Sequence, residues 1–156
     1  MILATLYLLQ NANNNANMLT KDTSLTKVRD FNLILKYGRW SNGQFLDIKV
    51  LKLATIINYF PKKEDPDKFK NQLKIAITVG LKISKRAVKR NRLKRQLREI
   101  VRLLIKENKI KSGHYIMVIA KKGSLDRNYP QLSEELTLLL MRSKVLDFTN
   151  GLRAHE

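Results

Sequence analysis

Apolar positions along this chain alternate between two periods, and each switch marks a new element. From Leu25 the helical period comes first: Val28, Phe31 and Leu35 share one face of a short helix, which Thr26 is placed to cap and Gly38 to end. The stretch "FLDIKVLKL" (45–53) then alternates Leu46, Ile48 and Val50 with Phe45, Asp47 and Lys49. That period predicts a strand with one core face and one mixed, wet face, running on through "ATII". Residues 58–71 hold Pro61 and Pro66 with the acids Glu64, Asp65 and Asp67, and read as a mobile surface loop. A second strand sets Leu73, Ile75, Ile77 and Val79 against Lys74, Ala76 and Thr78. The helical period returns from about Lys85 to Lys106, where Leu93, Leu97, Ile100 and Leu104 form one stripe. After Ser112-Gly113, "HYIMVIAKK" predicts a third strand. The last helix begins near Pro130 and carries Leu132, Leu136, Leu139 and Leu140. The order is α, β, β, α, β, α, with room for another short strand around the acidic loop, and the class is a single small α+β domain.

Charge changes this picture in one place. Thirty-one Lys and Arg against thirteen Asp and Glu give a net charge of +18 in 156 residues, a field that draws polyanions to the surface. Between Lys82 and Lys106 stand eleven basic residues and one acid, Glu99, so this one segment carries +10 of the total. Asn91, Arg95, Arg98 and Arg102 repeat the spacing of the Leu stripe, displaced from it by two residues or about 200°. One face is predicted to be core and the opposite face an arginine ladder. A solubilising face mixes signs so that charges pair along the helix, whereas this one repels itself until a polyanion arrives.

Other chemistry finds few residues. There is no cysteine, which excludes disulfides and thiolate metal sites and agrees with the reducing cytoplasm. His114 and His155 are far apart in sequence and read as ordinary surface residues, not as an acid–base pair. Glu64, Asp65 and Asp67 sit among prolines without the convergent spacing of a two-metal nuclease. Gly80 and Gly113 form no phosphate-binding loop. The apolar run "MILATLYLLQ" is too short to span a bilayer and lacks the basic flank of a signal peptide, so no membrane role is expected. Residues 1–17, with their Asn-rich stretch, read as a disordered extension; 18–147 read as the domain and 148–156 as a flexible tail.

Arg90-Asn91-Arg92, Leu93-Lys94-Arg95 and Leu97-Arg98-Glu99 together resemble the signature helix of the bacterial ribonuclease P protein subunit. "LTKVRDFNLILKYGR" (25–39) is similar to that family's first helix, "LKIAITV" to the strand before its basic segment, and "YIMVIAKKG" and "LSEELTLLL" to its last strand and helix. The resemblance runs from about Met18 to Leu146. It implies an αβββαβα fold like the second domain of ribosomal protein S5, with a left-handed βαβ crossover through the basic helix. It also implies partners: a catalytic RNA that uses Mg²⁺ to remove the 5′ leader of precursor tRNA, assisted by a protein that does not cut and needs no protein oligomer.

The same resemblance assigns residues to two surfaces. Arg90, Asn91, Arg92, Lys94, Arg95 and Arg98, with Arg102 extending the row, are expected to contact the catalytic RNA. A leader-binding cleft between the first helix and the sheet is expected to use Phe31, Leu35, Phe45, Lys49 and Lys82, with Lys85 and Arg86 beside it. Leu35 stands where the family usually has a second aromatic, and Leu81 where it commonly has a basic residue. For Phe31 two readings stand side by side, a base-stacking ring or a core aromatic, and exposure of the ring separates them. Two other functions fit the charge alone: a ribosomal or other basic RNA-binding protein, and a stand-alone small endoribonuclease.

Overall fold

The computed structural model describes residues 23–59 and 65–147. The expectations for residues 1–17, for Pro61 and Glu64, and for the tail with His155 lie outside that range. Helix α1 (Val28–Tyr37) leads into a hairpin of β1 (Arg39–Asn42) and β2 (Leu46–Lys52), followed by a 3₁₀ segment at Leu53–Tyr59 and a one-turn helix α2 (Pro66–Lys70). Strand β3 (Leu73–Thr78), the long helix α3 (Ala87–Lys106), strand β4 (His114–Ala120) and helix α4 (Tyr129–Arg142) complete the domain. The four strands lie in the order β1-β2-β4-β3, antiparallel except for the β3–β4 pair that α3 connects.

Strict alternation in β2, β3 and β4 sorts their side chains onto two faces, and both are covered. Leu46, Ile48, Val50, Ile75, Ile77, Ile116 and Val118 pack against Leu93, Leu97, Ile100 and Val101 of α3 and Leu132, Leu136, Leu139 and Leu140 of α4. On the other face Leu51, Ala76, Tyr115 and Met117 pack against Phe31 and Ile34 of α1, Phe69 of α2 and Ile56. The face expected to be wet is therefore the floor under α1, and Lys49 is buried on it.

Several local expectations are corrected. Helix α1 turns Phe31 and Ile34 to the core and leaves Leu35 40% exposed, because the buried face is centred one residue earlier than the Val28–Phe31–Leu35 spacing implies. Its N-cap is Lys27 and no side chain caps it, so Thr26 has no such role. Gly38 does end the helix, but in extended geometry; its need is space, since a Cβ there would lie 2.5 Å from the Ile34 carbonyl oxygen and 2.9 Å from Lys49 Cγ. The strand does not run on through "ATII". Leu53 N–H donates to Gly113 O, β4 has no residue left to pair beyond His114, and the chain coils into the 3₁₀ segment.

The additional strand is β1, directly after α1, not near the acidic loop. Part of that loop is α2, where the Asp65 side chain accepts from Asp67 N–H, Pro66 opens the turn, and buried Phe69 meets Tyr115 edge-on at 6.3 Å. Helix α4 starts with a capping box between Asn128 and Gln131. Its Glu135 reaches back to accept from Phe45 N–H at 2.9 Å, fixing the β1–β2 turn. The chain ahead of α1 pairs with the outer side of β3 through Leu25 N–H to Ile75 O and Ile75 N–H to Thr23 O, so that edge is covered.

Phe31, 3% exposed inside the α1 layer, is thus a core aromatic. Phe31→Ala is expected to cost about 3–5 kcal/mol of folding stability, as truncation of a buried ring does. Urea unfolding checks this, and a midpoint equal to that of the unaltered protein refutes it.

Candidate nucleic-acid interface

Helix α3 is held by its apolar stripe, and the stripe decides where every cation goes. Arg92 and Arg95 are exposed, Asn91 and Arg90 are partly so, and Arg102 is exposed in a two-point ion pair with Glu99, Nη2 to Oε1 at 2.6 Å and Nε to Oε2 at 2.9 Å. The one acid of the segment is therefore matched to the last rung of the ladder. It is held below the usual carboxylate range by hydrogen bonds from that guanidinium.

The ladder is not uniformly in water. Lys94 is 2% and Arg98 6% exposed. At about 100° per residue, Lys94 lies roughly 60° and Arg98 roughly 100° from Leu97, on the flank of the core stripe. Burial, reinforced by the charges of Arg98 and Arg90, lowers the pKa of Lys94. Three cations at i, i+4 and i+8 thus share one edge of α3. Arg90 also donates from Nη1 to Ser84 O at 2.8 Å, tying the loop before the helix to its first turn. The loop itself, with Leu81, Lys82, Lys85 and Arg86, is exposed and continues the basic surface.

The expected cleft residues divide. Phe31 is in the core, and Leu35 points outward. Lys49 is buried; its Nζ donates to Leu35 O at 2.6 Å and lies 4.9 Å from the centroid of the Trp40 ring, and burial lowers its pKa. Phe45 is half-buried with the Arg127 guanidinium 4.3 Å above its ring. Lys82, Lys85 and Arg86 belong to the β3–α3 loop and are on the surface. Cross-strand registers place Trp40, Lys49, Met117 and Ala76 in one row on the α1 face, and Asn42, Asp47, Ile119 and Thr78 in the next. The second row is not fully buried, so α1 leaves an open strip of sheet beside it.

Trp40 was invisible to periodicity, because "RWSN" is too short and polar to read as a strand. A lone aromatic among polar residues was its one signal. His114 is half-buried, with Nδ1 3.0 Å from Ser112 O, and burial lowers its pKa. Among the described residues no three His, Asp or Glu side chains gather as a metal site, and no helix is long and apolar enough to cross a membrane.

Fold and surface define a class: a small, strongly basic α+β domain whose long helix offers a nearly single-signed face to a polyanion. The family model for ribonuclease P matches residues 19–144, and the chain belongs to the ribonuclease P protein family. The ribonuclease P protein component of Rickettsia felis is 30% identical over 122 residues, covering 78% of this chain and 97% of that protein. Its counterpart in a Cyanothece species is 29% identical over 83% of this chain and 98% of the relative. The RNase P protein of Thermotoga maritima superposes with a TM-score of 0.59 at 27% identity over 76% of this chain and 96% of its own. That of Staphylococcus aureus shares the fold, with a TM-score of 0.63 at 24% identity over 81% of this chain and all of its own.

Lys94 offers a pH test of the buried cation edge. Its folded pKa lies below the ordinary 10.5, so the native state sheds that proton before the unfolded chain does. Stability therefore rises as pH climbs through the interval between the folded pKa and 10.5, while the full penalty of the buried charge is present below it. Against Lys94→Met, which has no such proton, the unaltered protein is expected to gain stability as pH is raised towards 10.5. Urea midpoints of both across that range check the sign, and a relative loss refutes it.

Proposed function

We propose that this chain is the protein subunit of a ribonuclease P holoenzyme, which binds a catalytic RNA and the 5′ leader of precursor tRNA and assists Mg²⁺-dependent 5′ maturation. The observation that carries this reading is the face of α3, where Arg92, Lys94, Arg95 and Arg98 stand against the single acid Glu99 in a chain of this family. Exposed Arg92 and Arg95 suit two-point pairing with phosphate oxygens, and Asn91 adds an amide hydrogen bond. Lys94 and Arg98 act from beneath them: a cation already out of water meets an incoming phosphate with less screening than a surface lysine does.

The open strip beside α1, continuous with the basic loop at Lys82, Lys85 and Arg86, is the place for a single-stranded leader. Base stacking there does not come from Phe31, whose ring is inside. The Mg²⁺ of the holoenzyme finds no donor set among the described residues, and no step of the hydrolysis is assigned to side chains of this chain.

A precursor-tRNA processing assay at low Mg²⁺ tests the reading, with protein alone, ribonuclease P RNA alone, and both. Mature 5′ ends are expected from the combination and not from the protein. Cleavage by the protein freed of nucleic acid identifies a stand-alone nuclease, and co-purification with ribosomal subunits a ribosomal protein. In the same system Arg95→Ala is expected to weaken assembly with the RNA about tenfold or more. It should also reduce the log–log salt slope by about 0.7–0.9, one phosphate contact's share. An unchanged slope refutes the phosphate contact.

A further inference from the structure

We infer that Trp40, on the outer strand β1, is the base-stacking platform of the leader site. This inference rests on the leader-binding reading above and names a residue for it. Trp40 is 53% exposed and is the only exposed aromatic among the described residues whose side chains are placed. An isolated indole on a mobile edge would lose much of its stacking energy to ordering, but this ring is already held. It stands opposite Lys49 in the β1–β2 register, with the Lys49 ammonium 4.9 Å from its centroid. That ammonium is in turn anchored on Leu35 O at the end of α1. Lys49 is thus a positioning residue, fastening the ring to the helix end while Trp40 as a residue stays 53% exposed.

The surroundings select the ligand. Trp40 stands at the β1 end of its row beside the open strip of Asn42, Asp47, Ile119 and Thr78, and the strip ends at β3, from which the loop bearing Lys82, Lys85 and Arg86 departs. Three strand spacings, about 14 Å, separate the two ends. A flexible polyanion held by the cations at one end reaches the indole at the other, and an unpaired base is the flat, apolar group it has to offer there. Every base has a π-face, so such a platform holds the strand with little regard to sequence. The two α1 positions expected in the cleft do not supply it, with Phe31 buried and an aliphatic Leu35 outside.

Trp40 is also the one tryptophan of the chain, so its fluorescence reports on this site alone. The full chain, assembled with ribonuclease P RNA, is titrated with leader-bearing precursor tRNA, with mature tRNA, and with precursor whose leader carries abasic sites. Quenching of Trp40 is expected with the base-bearing leader and not with the other two. Trp40→Ala is expected to lose about 5- to 100-fold of the preference for precursor over mature tRNA, while Trp40→Phe keeps most of it. Thermal melting confirms that both variants fold, as the exposure of the ring implies. If the unaltered protein prefers precursor and Trp40→Ala prefers it equally, the platform is overturned and the leader-binding reading stands. If the unaltered protein shows no preference, both fall. A Trp40 signal that follows protein concentration without RNA assigns the ring to contact with a second copy and overturns the platform.

Discussion

Helix α3 has to satisfy two demands that conflict, and the rest of the domain is arranged around the compromise. Its stripe of Leu93, Leu97, Ile100 and Val101 is buried against the sheet and α4, which fixes the helix about its axis. Once that rotation is set, the cations cannot choose their depth. Arg92 and Arg95 fall in water, and Lys94 and Arg98 fall at the margin of the core, where burial works against their charge. A basic face built this way is rigid, since moving the cations at the core margin means unpacking the stripe.

Lys49 provides the corresponding link on the opposite side of the sheet. A lysine in the middle of a central strand is normally solvated, yet here α1 lies over it and the side chain threads to Leu35 O and the Trp40 ring. Gly38 belongs to the same contact, because a Cβ at that position would collide with Lys49 Cγ and the Ile34 carbonyl. The end of α1, the middle of β2 and the edge strand β1 are thereby locked together, and the open strip is bounded by a fixed wall. The two surfaces, the α3 edge and the strip, meet through the loop that Arg90 ties down at Ser84 O.

Much of this was legible before any coordinates. Period-two alternation in 46–52, 73–78 and 114–120 and the leucine spacings of α3 and α4 depend on local geometry alone, and each of those elements forms where its pattern lies. The signature around Arg90-Asn91-Arg92 was enough to place the chain in its family. What periodicity could not say was which face of a strand meets water, because a mixed face such as Phe45, Asp47 and Lys49 is compatible with solvent or with a helix laid over it. Phe31 posed the same problem in a helix: one turn of apolar residues fits two rotations about the axis, and only packing on Leu51, Tyr115 and Met117 selects the one that buries the ring.

The sequence by itself therefore determined the two long helices, the three strands with clear alternation, the order in which they follow one another, the concentration of positive charge around one helix and the family; the short β1 and the one-turn α2 it did not. The tertiary structure alone decided depth: Lys94 and Arg98 at the core margin, Lys49 under α1, Leu35 outside and Trp40 at an open edge. The reason is one of range. Helical and strand periods are properties of residues a few positions apart, whereas burial of a given side chain depends on what another segment, distant in the chain, lays upon it.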